Sequence, residues 1–349
     1  MTEIMGQKES GGSLTTLDRF NLIVNAPALF NAIVAAQELG VYEQLATAGP
    51  QSLEELGSAL RLPEHQLRVL LFAVATTGLI TRDGFKYQLS EEARELFDPT
   101  NDGNWGRILR GWRDIYYPGF LHTTEAIRRG ENVALEALEG GKSGTLYEKL
   151  AGSAQERVFH DSMAAFTLQS LDDMVNQPEW PTVRTALDVG GGDGTSAAAL
   201  LRTYPDLRIT VLDHESVTDL IPSHERLQVH SGDFTTEQWQ EGFDAVLFSH
   251  VLEVFDESQI RELLKKAYGA LRPGGQLFVY GYHAAANETE GYFSARLSLY
   301  LNVLATGTGM AYPSSDYRRW ASQEGFVEVS TREPLAFEHG FTVARRPTL

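Results

Sequence analysis

The stretch Thr185-Ala-Leu-Asp-Val-Gly-Gly-Gly-Asp-Gly-Thr195 constrains this chain more than any other. A short apolar run carrying the acid Asp188 passes straight into Gly190, Gly191, Gly192 and Gly194, and an Ala/Leu-rich segment, Ser196 to Arg202, follows at once. The apolar run reads as a buried strand and the Ala/Leu segment as a helix. Glycine adopts positive φ and lets a backbone approach a bound molecule with no Cβ between them. Strand, glycine turn and helix in that order place a nucleotide at a helix N-terminus. The spacing is not Gly-x-Gly-x-x-Gly, so the context decides what is bound.

Two further strand ends supply that context. Arg208-Ile-Thr-Val-Leu-Asp213 is an apolar strand ending in an acid, 21 residues beyond Gly192. A carboxylate there can accept both hydroxyls of a ribose. Arg226-Leu-Gln-Val-His230 leads into Ser231-Gly-Asp233-Phe234, an acid to accept from an exocyclic amine and an aromatic to cover adenine. Asp193 in the first turn would repel a pyrophosphate but suits a ligand with an ammonium and a sulfonium. The chemistry points to S-adenosylmethionine, held by Asp188, Gly190, Gly192, Asp213, Asp233, Phe234 and Ser249.

These residues, with Phe243-Asp-Ala-Val-Leu-Phe248, Leu271-Arg-Pro-Gly-Gly275 and Phe159-His-Asp-Ser-Met163, resemble the class I S-adenosylmethionine-dependent methyltransferases. The likeness is to the small-molecule O-methyltransferase family with an N-terminal winged-helix dimerisation domain, and it runs from about Phe20 to the end. It implies an α/β fold: a Rossmann-like methyltransferase domain with a mostly parallel seven-stranded sheet over residues 171–349, its last strand antiparallel. Residues 14–170 would form the mainly helical winged-helix, dimerisation and pocket-lining domain of a homodimer. It also implies that Phe159 and Met163 lie beside the methyl donor. Residues 1–13 are polar and are expected to be a disordered N-terminus.

Composition narrows the function. At 349 residues the chain can build two full cores, and it has no cysteine, which excludes disulfides and thiolate chemistry. A net charge of −18 with spread-out bases opposes nucleic-acid binding. No signal core or bilayer-length apolar run stands out, so a cytoplasmic protein with no membrane partner is expected. In the N-terminal part, Phe20 to Leu39 follows a helical period, Ser52 and Glu55 match a capping box, and Pro63 opens a helix through Ala75. Leu79 to Leu89 reads as a hairpin turned at Asp83-Gly84. Such a helix–turn–helix–hairpin could read DNA, but its second helix, Glu64 to Ala75, offers only Arg68 as a cationic base. Further on, strands are expected at 185–189, 208–213, 226–230, 243–249 and 276–282, with a closing pair at 326–330 and 340–344.

The acceptor site is read from strand ends. His250 ends the fourth strand, where ligands of open α/β sheets bind, and imidazole is a good general base. The resembled family carries a His-Asp-Trp run nearby. Aligned through Asp256-Glu257, those positions hold Leu252, Glu253 and Val254 here, which leaves His250, two residues earlier, as a displaced base. Glu253 could accept a proton, hold an amine or cap a helix, and His283 lies past the fifth strand on the same rim. Arg296, on the apolar segment Ser294–Leu304, could clamp a substrate carboxylate or phosphate or pair with a partner subunit. Tyr300 follows one turn on, and Trp112, Tyr116 and His160 sit in the aromatic-rich stretch Asn104–Met174 as candidate acceptor contacts. No metal is expected, because no His, Asp and Glu cluster has ligand spacing. The missing His-Asp-Trp run leaves O- and C-methylation of a flat, apolar metabolite both open, in natural-product metabolism. A non-methylating enzyme that keeps the adenosyl ligand as a fixed cation and a winged-helix sensor of S-adenosylmethionine are the alternatives.

Overall fold

The chain packs into two units, Met1–Gly106 and Arg107–Leu349. The computed structural model describes residues 14–137, 144–150 and 153–348. The expected disordered tail, 1–13, and most of the loop 139–144 lie outside the described residues.

The first unit is helical around a small sheet: α1 (Thr16–Glu38), α2 (Val41–Ala48), β1 (Gln51–Ser52), α3 (Leu53–Leu60), α4 (Glu64–Ala75), β2 (Ile80–Asp83) and β3 (Lys86–Leu89). Ser52 Oγ accepts from the Glu55 N–H while the Glu55 carboxylate accepts from the Ser52 N–H, so the expected capping box starts α3. The hairpin turns at Gly84, φ +57°, and pairs Asp83 with Lys86. With β1 on the outer side of β3, the sheet order is β1-β3-β2, the arrangement of a winged helix. Leu45, Leu56, Leu67 and Leu71 form its core. On α1, by contrast, Leu17, Phe20, Leu22, Ile23 and Val24 are 53–66 % exposed. Against the sequence expectation, this 23-residue helix is long and apolar enough, by length and composition, to cross a membrane.

The second unit carries a seven-stranded sheet ordered β6-β5-β4-β7-β8-β10-β9. Its strands are β4 (Thr185–Val189), β5 (Arg208–Asp213), β6 (Leu227–Ser231), β7 (Phe243–Ser249), β8 (Leu271–Tyr282), β9 (Val327–Leu335) and β10 (His339–Arg345). The first five in sequence run parallel, and β10 is antiparallel to both neighbours. A parallel sheet is buried on both faces, which is why β4 reads as a near-continuous apolar run. One face packs on the helices Glu257–Ala270 and Ser314–Gln323 through Ile260, Leu263, Leu264 and Trp320. The other packs on Ala154–Val175 and Thr195–Thr203 through Leu171, Met174, Leu200 and Leu201. The chain moves outward from β4 through β5 to β6, then returns to β7 on the other side of β4. That reversal opens a crevice at the carboxyl ends of the strands.

The aromatic-rich helices from residue 107 onward belong to this second unit. Two of their neighbouring segments, Trp112–Tyr116 and Leu301–Ala305, are π-helical turns. Such widened turns cluster at functional sites because they re-aim side chains without breaking a helix.

Candidate active site

The turn after β4 is built for a ligand. Gly192 has φ +59°, its N–H donates to Asp213 Oδ2 at 2.8 Å, and nothing lies within 4 Å of where its Cβ would stand. Gly190 has φ +69°, and a Cβ there would meet Val251 at 2.7 Å. Asp213, at the end of β5, accepts the His214 N–H at 2.7 Å with its other oxygen. The acid is thereby fixed across the glycine turn. Asp193 Oδ1 accepts from the Thr195 N–H at 3.1 Å and hydroxyl at 2.7 Å, in the turn just before the next helix. Asp188 lies beneath the turn, 1 % exposed, and neither of its carboxyl oxygens has a hydrogen-bond partner. Burial, aided by the Asp213 charge, pushes its pKa up to about 7.

Above the turn lies a cavity of about 780 Å³. Gly190, Gly192, Asp213, Asp233, Phe234 and Ser249 line the end at the glycine turn. Phe159 and Met163 line it against Tyr116, whose hydroxyl is 3.1 Å from Met163 Sδ and whose ring is 6.4 Å from that of Phe159. Phe234 is buried beside Phe255, ring centroids 6.1 Å apart, and Asp233 is steadied by the Thr235 N–H and hydroxyl. His250, Glu253, Arg296, Tyr300, Trp112, Tyr116 and His160 line the other end. Two of the residues singled out from the sequence do not line it. Asp188 sits under the glycine turn, and His283 points into a side cluster, its Nδ1 3.3 Å from Glu333 and its ring 5.0 Å from Tyr317.

The donor set fits S-adenosylmethionine. Two bare carboxylate oxygens beneath the turn favour a cation above it and oppose a pyrophosphate. The open Gly192 cradle, Asp213 at the strand end and the Asp233-Phe234 pair suit a ribose and an adenine.

At the acceptor end, His250 takes φ +58°, the left-handed region that a residue with a Cβ enters at a cost. Its N–H donates to the Tyr280 carbonyl at 2.8 Å, which pins the backbone. Nδ1 lies 3.4 Å from Glu253 Oε1, within ion-pair reach but not aligned as a hydrogen bond, and Nε2 is buried with no partner. Glu253 is 3 % exposed and fits only because residue 281 is glycine: a Cβ there would stand 2.6 Å from Glu253 Oε1. Leu252, at the position of the resembled family's histidine, is wholly buried among core residues.

His339 and Tyr282 escaped the sequence reading. The His339 ring is 4.8 Å from that of His250 and its Nδ1 is 3.2 Å from the Tyr280 hydroxyl. Burial, with His250 and His283 nearby, holds its pKa well below the ordinary imidazole value, so it stays neutral. The Tyr282 ring is 5.7 Å from that of His250. Because β10 is antiparallel, its first residue lies at the carboxyl edge of the parallel strands, opposite the last residue of β8. Only that long-range register reveals them. The remaining wall is aromatic. Tyr116 and Tyr300 lie 4.2 Å apart, and the Arg296 guanidinium stands 4.1 Å over the Trp112 ring. Burial raises every phenol here, Tyr147 to about 12. Among the described residues no three His, Cys, Asp or Glu side chains could hold a metal ion.

The model of the O-methyltransferase domain family matches residues 120–327. The L-tyrosine C(3)-methyltransferase of Streptomyces lavendulae is 28 % identical over 92 % of this chain and 91 % of its own length. The 3-hydroxy-5-methyl-1-naphthoate 3-O-methyltransferase of Streptomyces sahachiroi is 27 % identical over 86 % of each. Among solved structures, the S-adenosylmethionine-dependent methyltransferase SibL superposes with a TM-score of 0.83 at 30 % identity, over 95 % of this chain and 99 % of that one. Human N-acetylserotonin methyltransferase shares the fold, with a TM-score of 0.84 at 21 % identity over 97 % of this chain and 100 % of that one.

Proposed function

The chain belongs to the O-methyltransferase domain family and is an S-adenosylmethionine-dependent methyltransferase of specialised metabolism, and from that premise we propose a phenolic acceptor with His250 as its base. The observation that carries this reading is the bare, buried Nε2 of His250 on the wall of the cavity that also holds the donor cradle. When bound, S-adenosylmethionine supplies a methyl group on a positively charged sulfur that leaves as a neutral thioether. The chain's own task is to place the acceptor in line, exclude water and take one proton.

Nε2 receives the phenolic proton, and Glu253 on the Nδ1 side favours the imidazolium that results. A phenolate shares its charge between oxygen and the neighbouring ring carbon, so one base serves O- and C-methylation alike. The two bacterial relatives, named for a C- and an O-methylation of hydroxylated aromatics, support that breadth. Asp213 takes the ribose, Asp233 and Phe234 the adenine, and Gly190, Gly192, Ser249, Phe159 and Met163 the rest of the donor. Asp188 offsets donor charge from below the turn. Trp112, Tyr116, Tyr300 and His160 flank a flat acceptor ring.

The division into a dimerisation module and a catalytic module belongs to the same proposal. The exposed apolar face of α1 is best covered by a second copy of the chain, giving a cytoplasmic homodimer that binds neither nucleic acid nor membrane. Turnover with hydroxylated aromatics tests the catalytic part. His250→Ala lowers kcat by about 10²–10⁴-fold with donor affinity retained. Unchanged turnover removes His250 from the reaction.

A further inference from the structure

We propose that the acceptor is a phenolic aromatic acid whose carboxylate is held by Arg296. This rests on the methyltransferase reading of the same cavity and names the class of substrate that fits it.

Arg296 projects from the helix Tyr292–Tyr300 into the cavity wall. Its guanidinium stands over Trp112 at 4.1 Å, a stacking that fixes the plane of the group. Nε and Nη1 are both buried, and neither has a hydrogen-bond partner among the described residues. A guanidinium does not lose its proton inside a protein, so a buried one with bare N–H groups is costly until an anion meets it. Among the described residues no carboxylate forms an ion pair with it; the Tyr282 hydroxyl lies within its hydrogen-bonding reach, and the phenols of Tyr116, Tyr117 and Tyr282, which burial keeps neutral, lie in its field. A planar cation aimed into a cavity, with no carboxylate of the described residues in ion-pair contact with it, calls for a planar anion on the ligand.

The cavity also says what else that ligand carries. Tyr282 neighbours both ends: its ring is 5.7 Å from that of His250, and its phenol feels Arg296. Base and guanidinium therefore flank the same tyrosine. A ligand with an ionisable hydroxyl at one end and an anion at the other spans them, its ring against Tyr116, Tyr300 and Trp112. Carboxylate fits better than phosphate monoester. Arg296 brings one positive charge, and the buried Glu253 on the same wall opposes a second negative one.

Titration calorimetry on the full chain, with S-adenosylhomocysteine present, tests this. The probes are para-hydroxyphenylacetate, para-hydroxyphenylpropanoate and L-tyrosine, each beside its neutral amide, with para-hydroxybenzyl phosphate as the other anion. At least one acid should bind about 30-fold or more tightly than its amide. Arg296→Gln should abolish that preference while S-adenosylhomocysteine still binds, and Arg296→Lys, which keeps charge but loses the planar fork, should restore it only in part. Should Arg296→Gln fail to fold, the Arg296→Lys variant and the wild-type comparison of acid with amide decide the matter. The proposal is overturned if every amide matches its acid, if no acid binds, if the phosphate outbinds the acids, or if the preference survives Arg296→Gln. Neutral phenols methylated as efficiently as acids would remove the clamp and leave the methyltransferase reading standing. A wild-type chain that binds no S-adenosylhomocysteine would fail that underlying reading instead.

Discussion

Neither oxygen of Asp188 finds a donor among the described residues, and burial holds its pKa at about 7, above the ordinary carboxylate range. The folded protein therefore keeps a proton that the unfolded chain has already lost. Its contribution to stability is fully present below the ordinary carboxylate range and is lost as pH rises through about 7. A cation above the turn reverses the sense, because it favours the ionised form. Donor affinity should thus rise with pH through about 7, and Asp188→Asn should flatten that rise and the pH dependence of ligand-free stability together. Calorimetry and thermal melts across that range check both, and a parallel pH dependence in wild type and variant would refute the assignment. Asp213 acts differently, since its carboxylate is already tied to Gly192 and His214. Asp213→Ala removes both a ribose acceptor and the tie across the turn, and should weaken donor binding by roughly 1.5–3 kcal/mol. Unchanged affinity would place the ribose elsewhere.

At the scale of elements, β4, β5 and β7 lie at the residues read from the sequence, because strands buried on both faces are apolar runs stopped by turns. β8 begins at Leu271, before the expected 276, since Arg-Pro-Gly-Gly reads as a breaker yet joins β7 through a register shift between Phe243 and Ala245. β9 extends to Leu335 because an edge strand, largely exposed, carries no apolar signal along its second half. On the donor side the acids were legible from strand ends: Asp213 closes β5 and Asp233 comes two residues after β6. His339 and Tyr282 were not, because an antiparallel pairing between β8 and β10 brings them to the site. His283 looked equivalent to His250 as a residue past a strand end, but Glu333 and Tyr317 hold it in a side cluster. The helical period of Phe20 to Leu39 located α1 but not what covers its exposed face. Phe20→Asp with Ile23→Asp places two charges in its exposed apolar face and should convert a dimer to a monomer by light scattering. A wild type already monomeric at micromolar concentration would defeat the assembly.

At the scale of the whole molecule, a net charge of −18 repels anions at long range, while the described cavity wall carries one guanidinium, Arg296, whose Nε and Nη1 have no hydrogen-bond partner among the described residues. Acceptor choice is thus set inside the cavity and not by the surface field. The donor cradle and His250 meet in that same cavity, at the crevice where the strand order reverses. The most direct test of the central claim follows the methyl group itself. Purified chain is incubated with S-adenosylmethionine carrying a trideuterated methyl and a panel of hydroxylated aromatics, and the products are weighed by mass spectrometry. A panel member should gain the intact labelled methyl, in step with S-adenosylhomocysteine, at a rate that collapses in His250→Ala. Donor binding without any labelled product would contradict the account, and so would a labelled product formed equally well without His250.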